Sequence, residues 1–395
     1  MNMPFAVDRV WSVSRAALVA AIVAGPSVAG AQGDAYGAVW ISTVQVYEDN
    51  LFAASASQHP QNDFVSTFGP TFEAGYASTP WVVAATYAVD AERYADHVEL
   101  NRLFARQEGT LDARYLPTSR LTLEARAAHV ETQTPNEFNV NSLLAAGRAR
   151  AQRTLARSTV TYAWTALTDL LVDYDFSRDR IAGAETVASD GRMTLVRRVG
   201  PRNAYRVAGG IRDVRFPLDA GEVSGVVTLG WARQVGRQTR FEIDLGPRVT
   251  ERATRPEVSA VLEQRWKPGD LSLSYSRTQV TAVGQLESID MHRLILGSTY
   301  RPVSAVTLVG ITSLARASVQ DRSHVAVYAV ELKASLQATR RVSLVASARI
   351  GRQDGAVDRP TEAISSGALT LGLIVKALGG ALSGQRPPAS STTRR

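Results

Sequence analysis

FVSTFGPTFEAGY, residues 64–76, sets Phe64, Phe68, Phe72 and Tyr76 on one parity and Val65, Thr67, Thr71 and Glu73 on the other. A repeat of two residues is the period of a β-strand, whose side chains alternate between the faces of a sheet. The strand therefore has one face of large apolar rings and one that carries polar groups and a carboxylate. The same pattern returns at residues 241–250, with Phe241, Ile243, Leu245 and Val249 set against Glu242, Asp244, Arg248 and Thr250. Leu121, Leu123 and Ala125 alternate likewise with Thr122, Glu124 and Arg126, and Leu271, Leu273 and Tyr275 with Ser272, Ser274 and Ser276. Helical spacing is nowhere comparable.

Turn chemistry cuts the chain into regular pieces. Short turns are expected at Ser78-Thr79-Pro80, Leu116 to Ser119, Leu155 to Ser158, Gly200 to Asn203, Gly236 to Thr239, Lys267 to Asp270, Arg301 to Ser304 and Ala338 to Arg341. Longer polar connections are expected at 50–62, 90–98, 131–139, 177–190, 216–222, 251–256, 284–289, 318–323 and 352–363. Eight short turns alternating with nine longer loops give eighteen strands, with both chain ends on the short-turn side. Short turns on one rim and longer loops on the other are the asymmetry of an outer-membrane barrel. In lipid a sheet must close on itself, because an open edge leaves backbone groups unpaired where no water reaches them. The fold class is thus all-β, a transmembrane antiparallel up-and-down β-barrel of about 18 strands. A soluble solenoid or propeller is the alternative, and the charge on the second face argues against it. Trp81, Tyr115, Trp266 and Tyr300 fall beside short turns, where a girdle of aromatics meets the membrane interface.

Residues 1–31 read as a signal peptide: Arg9 and Arg15 precede the apolar run Ala16 to Ala24, and Ala29-Gly30-Ala31 favours cleavage before Gln32. The apolar run falls well short of the roughly 20 residues that span a bilayer as a helix. Residues 32–379 form the barrel, whose last strand is expected over Ile364 to Leu378, and 380–395 read as a disordered periplasmic tail. No separate plug domain is read ahead of the first strand, so energised uptake of a bound ligand is not expected.

Cysteine is absent, which excludes disulfides and thiolate chemistry. The net charge is +7, and Lys267, Lys333 and Lys376 are the only lysines, so the positive charge is nearly all arginine. Because these arginines are spread along the chain, nucleic acid is not an expected partner. The histidines, His59, His97, His129, His292 and His324, lie far apart and form no metal-binding spacing, and no catalytic motif is present. Asp96-His97 in an outer loop is the nearest approach to a hydrolase dyad, and an ordinary solvated pair explains it. Neither enzymatic activity nor a cofactor or metal is expected.

If the apolar face meets lipid, the polar face lines the lumen. The candidate lumen residues are Arg102, Arg106, Arg114, Arg126, Arg148 and Arg150 on the fourth to sixth strands and Glu242, Asp244 and Glu263 on the eleventh and twelfth. Buried unpaired charges are too costly for a dry core, so these must be solvated or paired across strands. They are read either as rigidifying cross-strand pairs or as a selectivity surface in which arginine favours anionic or polyhydroxylated solutes. A register slip of one residue would invert each assignment.

The run Tyr47-Glu48-Asp49-Asn50-Leu51-Phe52 resembles the Tyr-x-Asp-Asn-aliphatic-aromatic segment after the first strand of the β-barrel porin 2 family, and Asp90-Ala91-Glu92-Arg93-Tyr94 is similar to it as well. Tyr47, Asp49, Asn50 and Phe52 carry the resemblance. It implies an outer-membrane barrel of a Gram-negative bacterium, associated with export of an exopolysaccharide and with a periplasmic export protein as partner. Outer-membrane lipid and the barrel-insertion machinery are the other implied partners. Read from the residues alone, Asp49 and Asn50 can make an Asx-type turn at the strand end. The competing expectations are a general diffusion porin for small hydrophilic solutes and a non-conducting structural barrel. No outer loop is expected to exceed about 14 residues, the longest span read between strands, which leaves little for a folded-in constriction loop and weighs against the diffusion porin.

Overall fold

The computed structural model describes residues 33–381 except 140–141, 218–220, 283–284, 286, 320–322 and 356–361. The expected signal peptide, 1–31, and the tail from 382 onward lie outside the described residues. Eighteen strands follow one another: β1 (Gly33–Glu48), β2 (Asp63–Ser78), β3 (Trp81–Tyr94), β4 (Arg102–Thr118), β5 (Leu121–Thr132), β6 (Ala151–Thr165), β7 (Thr168–Ile181), β8 (Ala184–Arg198), β9 (Asn203–Arg215), β10 (Gly221–Val235), β11 (Thr239–Thr250), β12 (Thr254–Trp266), β13 (Gly269–Val280), β14 (Ile289–Tyr300), β15 (Val306–Val319), β16 (Ser323–Gln337), β17 (Val342–Asp354) and β18 (Ala363–Ala381). Each pairs antiparallel with its neighbours in sequence, and β1 also pairs with β18, so the sheet closes on itself.

Alternation decides which side chains face out. Phe64, Phe68 and Phe72 of β2 are 58%, 54% and 46% exposed, while Val65 between them is buried. Along β3 the outward row runs Trp81, Val83, Ala85, Tyr87, Val89 and Ala91 without a charge, and along β18 it runs Leu369, Leu371, Leu373 and Val375. Trp81 stacks on Tyr115 at 3.9 Å near the short-turn rim. A closed barrel with an apolar belt of this kind is a membrane-spanning structure, since only in lipid is such a surface covered. The protein is an outer-membrane β-barrel of the Gram-negative type, with β1 starting and β18 ending at the periplasmic rim.

The Tyr47 to Phe52 run lies where the first and last strands close the barrel. Tyr47 packs against Phe64 with ring centroids 4.9 Å apart, the Asp49 carboxylate accepts the Gly367 N–H, and Asn50 donates to the Ser365 carbonyl at 2.8 Å. Asn50 also accepts the Ala54 N–H at 2.8 Å, which turns the chain away from β1, and Phe52 meets His97 edge-on at 5.5 Å. These residues clasp the seam between β1 and β18.

Two expected connections are placed differently by the structure. Residues 155–158 are the middle of β6, and the periplasmic turn falls at Ala166-Leu167. The loop expected over 177–190 shrinks to Ala182-Gly183, where both residues have positive φ (48° and 87°) as a two-residue hairpin turn requires. Midway along β11, a side chain at Gly246 would begin 1.7 Å from the Val227 carbonyl oxygen, so only glycine allows β10 and β11 to approach there.

Candidate functional site: the lumen and its inserted loop

Most inward charges are paired across strands. In the periplasmic half, Arg114 faces Glu124 at 3.6 Å, Arg126 faces Asp112 at 3.6 Å and Arg157 faces Asp175 at 3.0 Å. Arg206 is more enclosed and grips Glu242 at 2.5 Å and Asp244 at 2.8 Å. Glu263 lies 3.5 Å from Arg265 near the periplasmic end of β12. Arg106, Arg114, Arg126, Glu242, Asp244 and Glu263 thus share the inner face. The three remaining candidates do not lie on the inner face of a strand. Arg102 is exposed at the outer end of β4, beyond the bulge that shifts the β3–β4 register between Asp90 and Glu92. Arg150 pairs at 2.6 Å with Glu131, which stands opposite Gln107 and shares its outward face with Tyr87. Arg148 is inside the barrel but on a loop, because β6 begins only at Ala151.

That loop, described over residues 133–139 and 142–150, is the main departure from expectation: it folds into the lumen. Leaving β5, it forms a 3-10 turn at Pro135–Phe138, whose Glu137 accepts a hydrogen bond from Arg106 at 2.8 Å. Phe138 packs with Val130 and Ala151 beneath the guanidinium of Arg153, which also holds Asp179 with two bonds of 2.6 Å. The chain then reaches the far wall. Leu144, 4% exposed, packs against Ala282, Ile289, Met291, Ala315, Ala317, Val325 and Val327, and the Ala145 N–H donates to Gln353 of β17 at 2.8 Å. Asn139 ties the crossing together through a bond of 3.0 Å to the Leu144 carbonyl. On the return, Arg148 lies 3.6 Å from Glu92 and 3.9 Å from Glu48, with its guanidinium over the Tyr94 ring at 4.8 Å.

The outer ends of β13 and β14 lean inward to meet this loop. Arg212 of β9 donates to the Gln279 carbonyl at 2.5 Å, and the Gln279 amide donates to Glu222 at 2.6 Å. Arg248 binds Glu257 at 2.9 Å and Asp290 at 2.5 Å, and Arg255 pairs with Asp290 as well. Below the loop, a cavity of about 400 Å³ is lined by inward residues of β15 and β16, among them Ile311, Glu331 and Lys333.

Two stretches of sequence announce this arrangement. VAVYAV, residues 325–330, is apolar on both parities and so requires burial on both faces, unlike every strand that alternates cleanly. SLLAAG, residues 142–147, is too apolar for a water-exposed loop. The first is the dry inner wall and the second is what covers it.

At the outer rim, His97 is engaged by Asp63 through Nδ1 at 2.8 Å and by Gln61 through Nε2 at 2.9 Å. Asp63 also accepts the backbone N–H groups of Ala95, Asp96 and His97, so this pair clasps a loop to β2. Among the described residues no group of three or more His, Asp or Glu side chains could hold a metal.

No protein-family model and no curated protein matches the chain. Solved structures that align with it include OpdO of Pseudomonas aeruginosa (10% identity, 87% of this chain and 98% of that one, TM-score 0.49). A BenF-like porin from Pseudomonas fluorescens Pf-5 aligns at 9% identity over 86% of this chain and 98% of that one, TM-score 0.48. The siderophore receptor PirA of Pseudomonas aeruginosa aligns at 8% identity over 87% and 81%, TM-score 0.44.

Proposed function

We propose that the protein is a diffusion channel for small hydrophilic solutes, narrowed by the loop 133–150. The observation that carries this reading is a charged, cross-paired lumen with a loop pinned across it. A charged lining must be hydrated, and a loop anchored on the opposite wall narrows a hydrated passage without filling it with a folded domain. Around the opening between the loop and β1–β4, Glu48, Asp90, Glu92, Glu108 and Glu137 stand about Arg106 and Arg148, and Arg349 acts on Glu48 as well, five carboxylates to three guanidinium groups. Rings of carboxylate favour cations, so the passage should prefer cations. This reverses the anion preference that the arginines of the fourth to sixth strands suggest when counted without their partners.

Export of a polysaccharide, which the Tyr47 to Phe52 resemblance implies, requires a chain of sugars to pass the same loop. That role needs the loop undocked, and the motif itself is engaged in closing the seam. Planar-bilayer recording tests the two readings together. The expected result is a small steady conductance with a cation-selective reversal potential in a salt gradient, and a larger conductance when residues 142–147 are deleted. A barrel silent in both forms would overturn the channel. Conductance blocked by acidic oligosaccharide, together with loss of surface polysaccharide on gene deletion, would favour export.

A further inference from the structure

Above the apolar belt, on the lipid-facing side, the sheet carries a row of cations with nothing to neutralise it. Arg277 of β13 is the direct cross-strand partner of His292 of β14, and His292 is the direct partner of Arg316 of β15. All three share the outward parity of Leu273, Leu294 and Leu314, which are exposed just below them. Neighbouring strands are about 4.8 Å apart, so the two arginine positions stand roughly 10 Å apart with the imidazole between them. Both guanidinium groups act electrostatically on the His292 ring. Tyr275 holds that ring by Nδ1 at 3.0 Å, which leaves Nε2 for a ligand. Among the described residues neither Arg277 nor Arg316 has an acidic partner. The nearest carboxylate on the same strands, Asp290, shares their parity two residues beyond His292, and is taken up by Arg248 and Arg255 where the outer ends of β13 and β14 lean inward.

Several other basic residues of the outward rim are paired: Arg150 with Glu131, Arg178 and Arg180 with Glu185, Arg215 with Asp213 and Arg352 with Asp354. Like charges set side by side on one face of a sheet repel, and a pair kept so without a counter-charge calls for an anion from outside. At this height the anions available are lipid headgroups. The arginine fork suits phosphate oxygens, and the leucines beneath offer a floor for acyl chains that a free ion would not use.

We infer that Arg277, His292 and Arg316 form a binding site for the phosphate headgroup of an acylated lipid in the outer leaflet. The site is independent of the channel reading, since it lies on the opposite face of the wall.

The test is native mass spectrometry of the full barrel in detergent, titrated with an acylated disaccharide bisphosphate lipid, with its dephosphorylated form and with inorganic phosphate. The wild type should retain the bisphosphate lipid and neither of the other two. Arg277→Gln with Arg316→Gln should weaken retention about tenfold, and Arg352→Gln, at similar height but paired with Asp354, should leave it unchanged. If the double variant fails to fold, each single substitution should still weaken binding severalfold. Equal retention by the double variant, or equal binding of the dephosphorylated lipid, overturns the site.

Discussion

The wall of this barrel has two unlike arcs. From β4 to β12 the inner face is an array of arginines and carboxylates, and each strand is apolar on one side only. From β14 to β16 the inner face above mid-height is Ile289, Met291, Ala315, Ala317, Val325 and Val327, while on the outer face the apolar belt of Leu294, Leu314 and Tyr328 gives way at this height to His292 and Arg316. The inner face of the first arc is stable only when wet and that of the second only when dry. Water cannot satisfy the second, so a segment of the chain must cover it, and Leu144 does. The loop's position thus follows from where the wall changes character.

The sharpest way to break the comparison is Leu144→Asp. Setting a carboxylate against the dry arc forfeits the burial of the leucine and adds desolvation of the charge, together about 4 kcal/mol or more. The loop should undock while the barrel, held by its hydrogen-bonded closure, stays assembled. Single-channel conductance should rise severalfold and protease should reach residues 142–147. An unchanged conductance would mean that the loop is held by its polar contacts alone.

Next in size is Arg206→Met, on the wet arc. Its guanidinium is enclosed between Glu242 and Asp244, and its loss leaves Asp244 without a cation and Glu242 with Arg240 alone. Removing one partner of an enclosed ion pair costs about 3 kcal/mol. Urea unfolding of the barrel in lipid should report this loss. Replacing Glu242 and Asp244 at the same time by Gln and Asn should recover most of it.

These two arcs also explain what was legible in the sequence. Lipid on one side and water on the other impose the period of two, so the strand number, the closure and the inward placement of Arg126, Glu242 and Asp244 could be read directly. The reading failed where one of the two solvents is missing. The outer ends of β7 and β8 rise above the apolar belt, and there Arg178, Arg180 and Glu185 face outward, so both faces are polar and the segment looks like a loop. In β6 the alternation inverts: Leu155 points into the lumen while Ala156 and Ser158 point out, and the break reads as a turn. The inserted loop escaped because its partners are more than a hundred residues away, and no local pattern joins SLLAAG to VAVYAV. Arg148 and Arg150, expected on the sixth strand, precede it, because β6 starts only at Ala151.

Arg148→Gln addresses the passage between the arcs and should have a smaller effect. Removing one of the three cations from a group of five carboxylates leaves the loop docked by Leu144 and raises the surplus of negative charge. The permeability ratio of potassium to chloride should increase about two- to threefold at low salt and less at 1 M, where the Debye length is about 3 Å. A shift toward chloride would show that Arg148 serves mainly to keep Glu48 and Glu92 apart.

The smallest effect belongs to Arg126→Ala. Arg126 and Asp112 are 62% and 53% exposed at their side chains and 3.6 Å apart, so water already solvates both charges and salt screens them. Exposed pairs of this kind contribute about 0–1 kcal/mol, and Asp112 left alone can be hydrated in the lumen. Urea unfolding in lipid should therefore move by no more than that, and the difference should vanish at high ionic strength. A loss approaching that of Arg206→Met would mean that the open part of the wet arc is as enclosed as the Arg206 cluster. The lumen would then be narrower throughout than a passage constricted only at its loop.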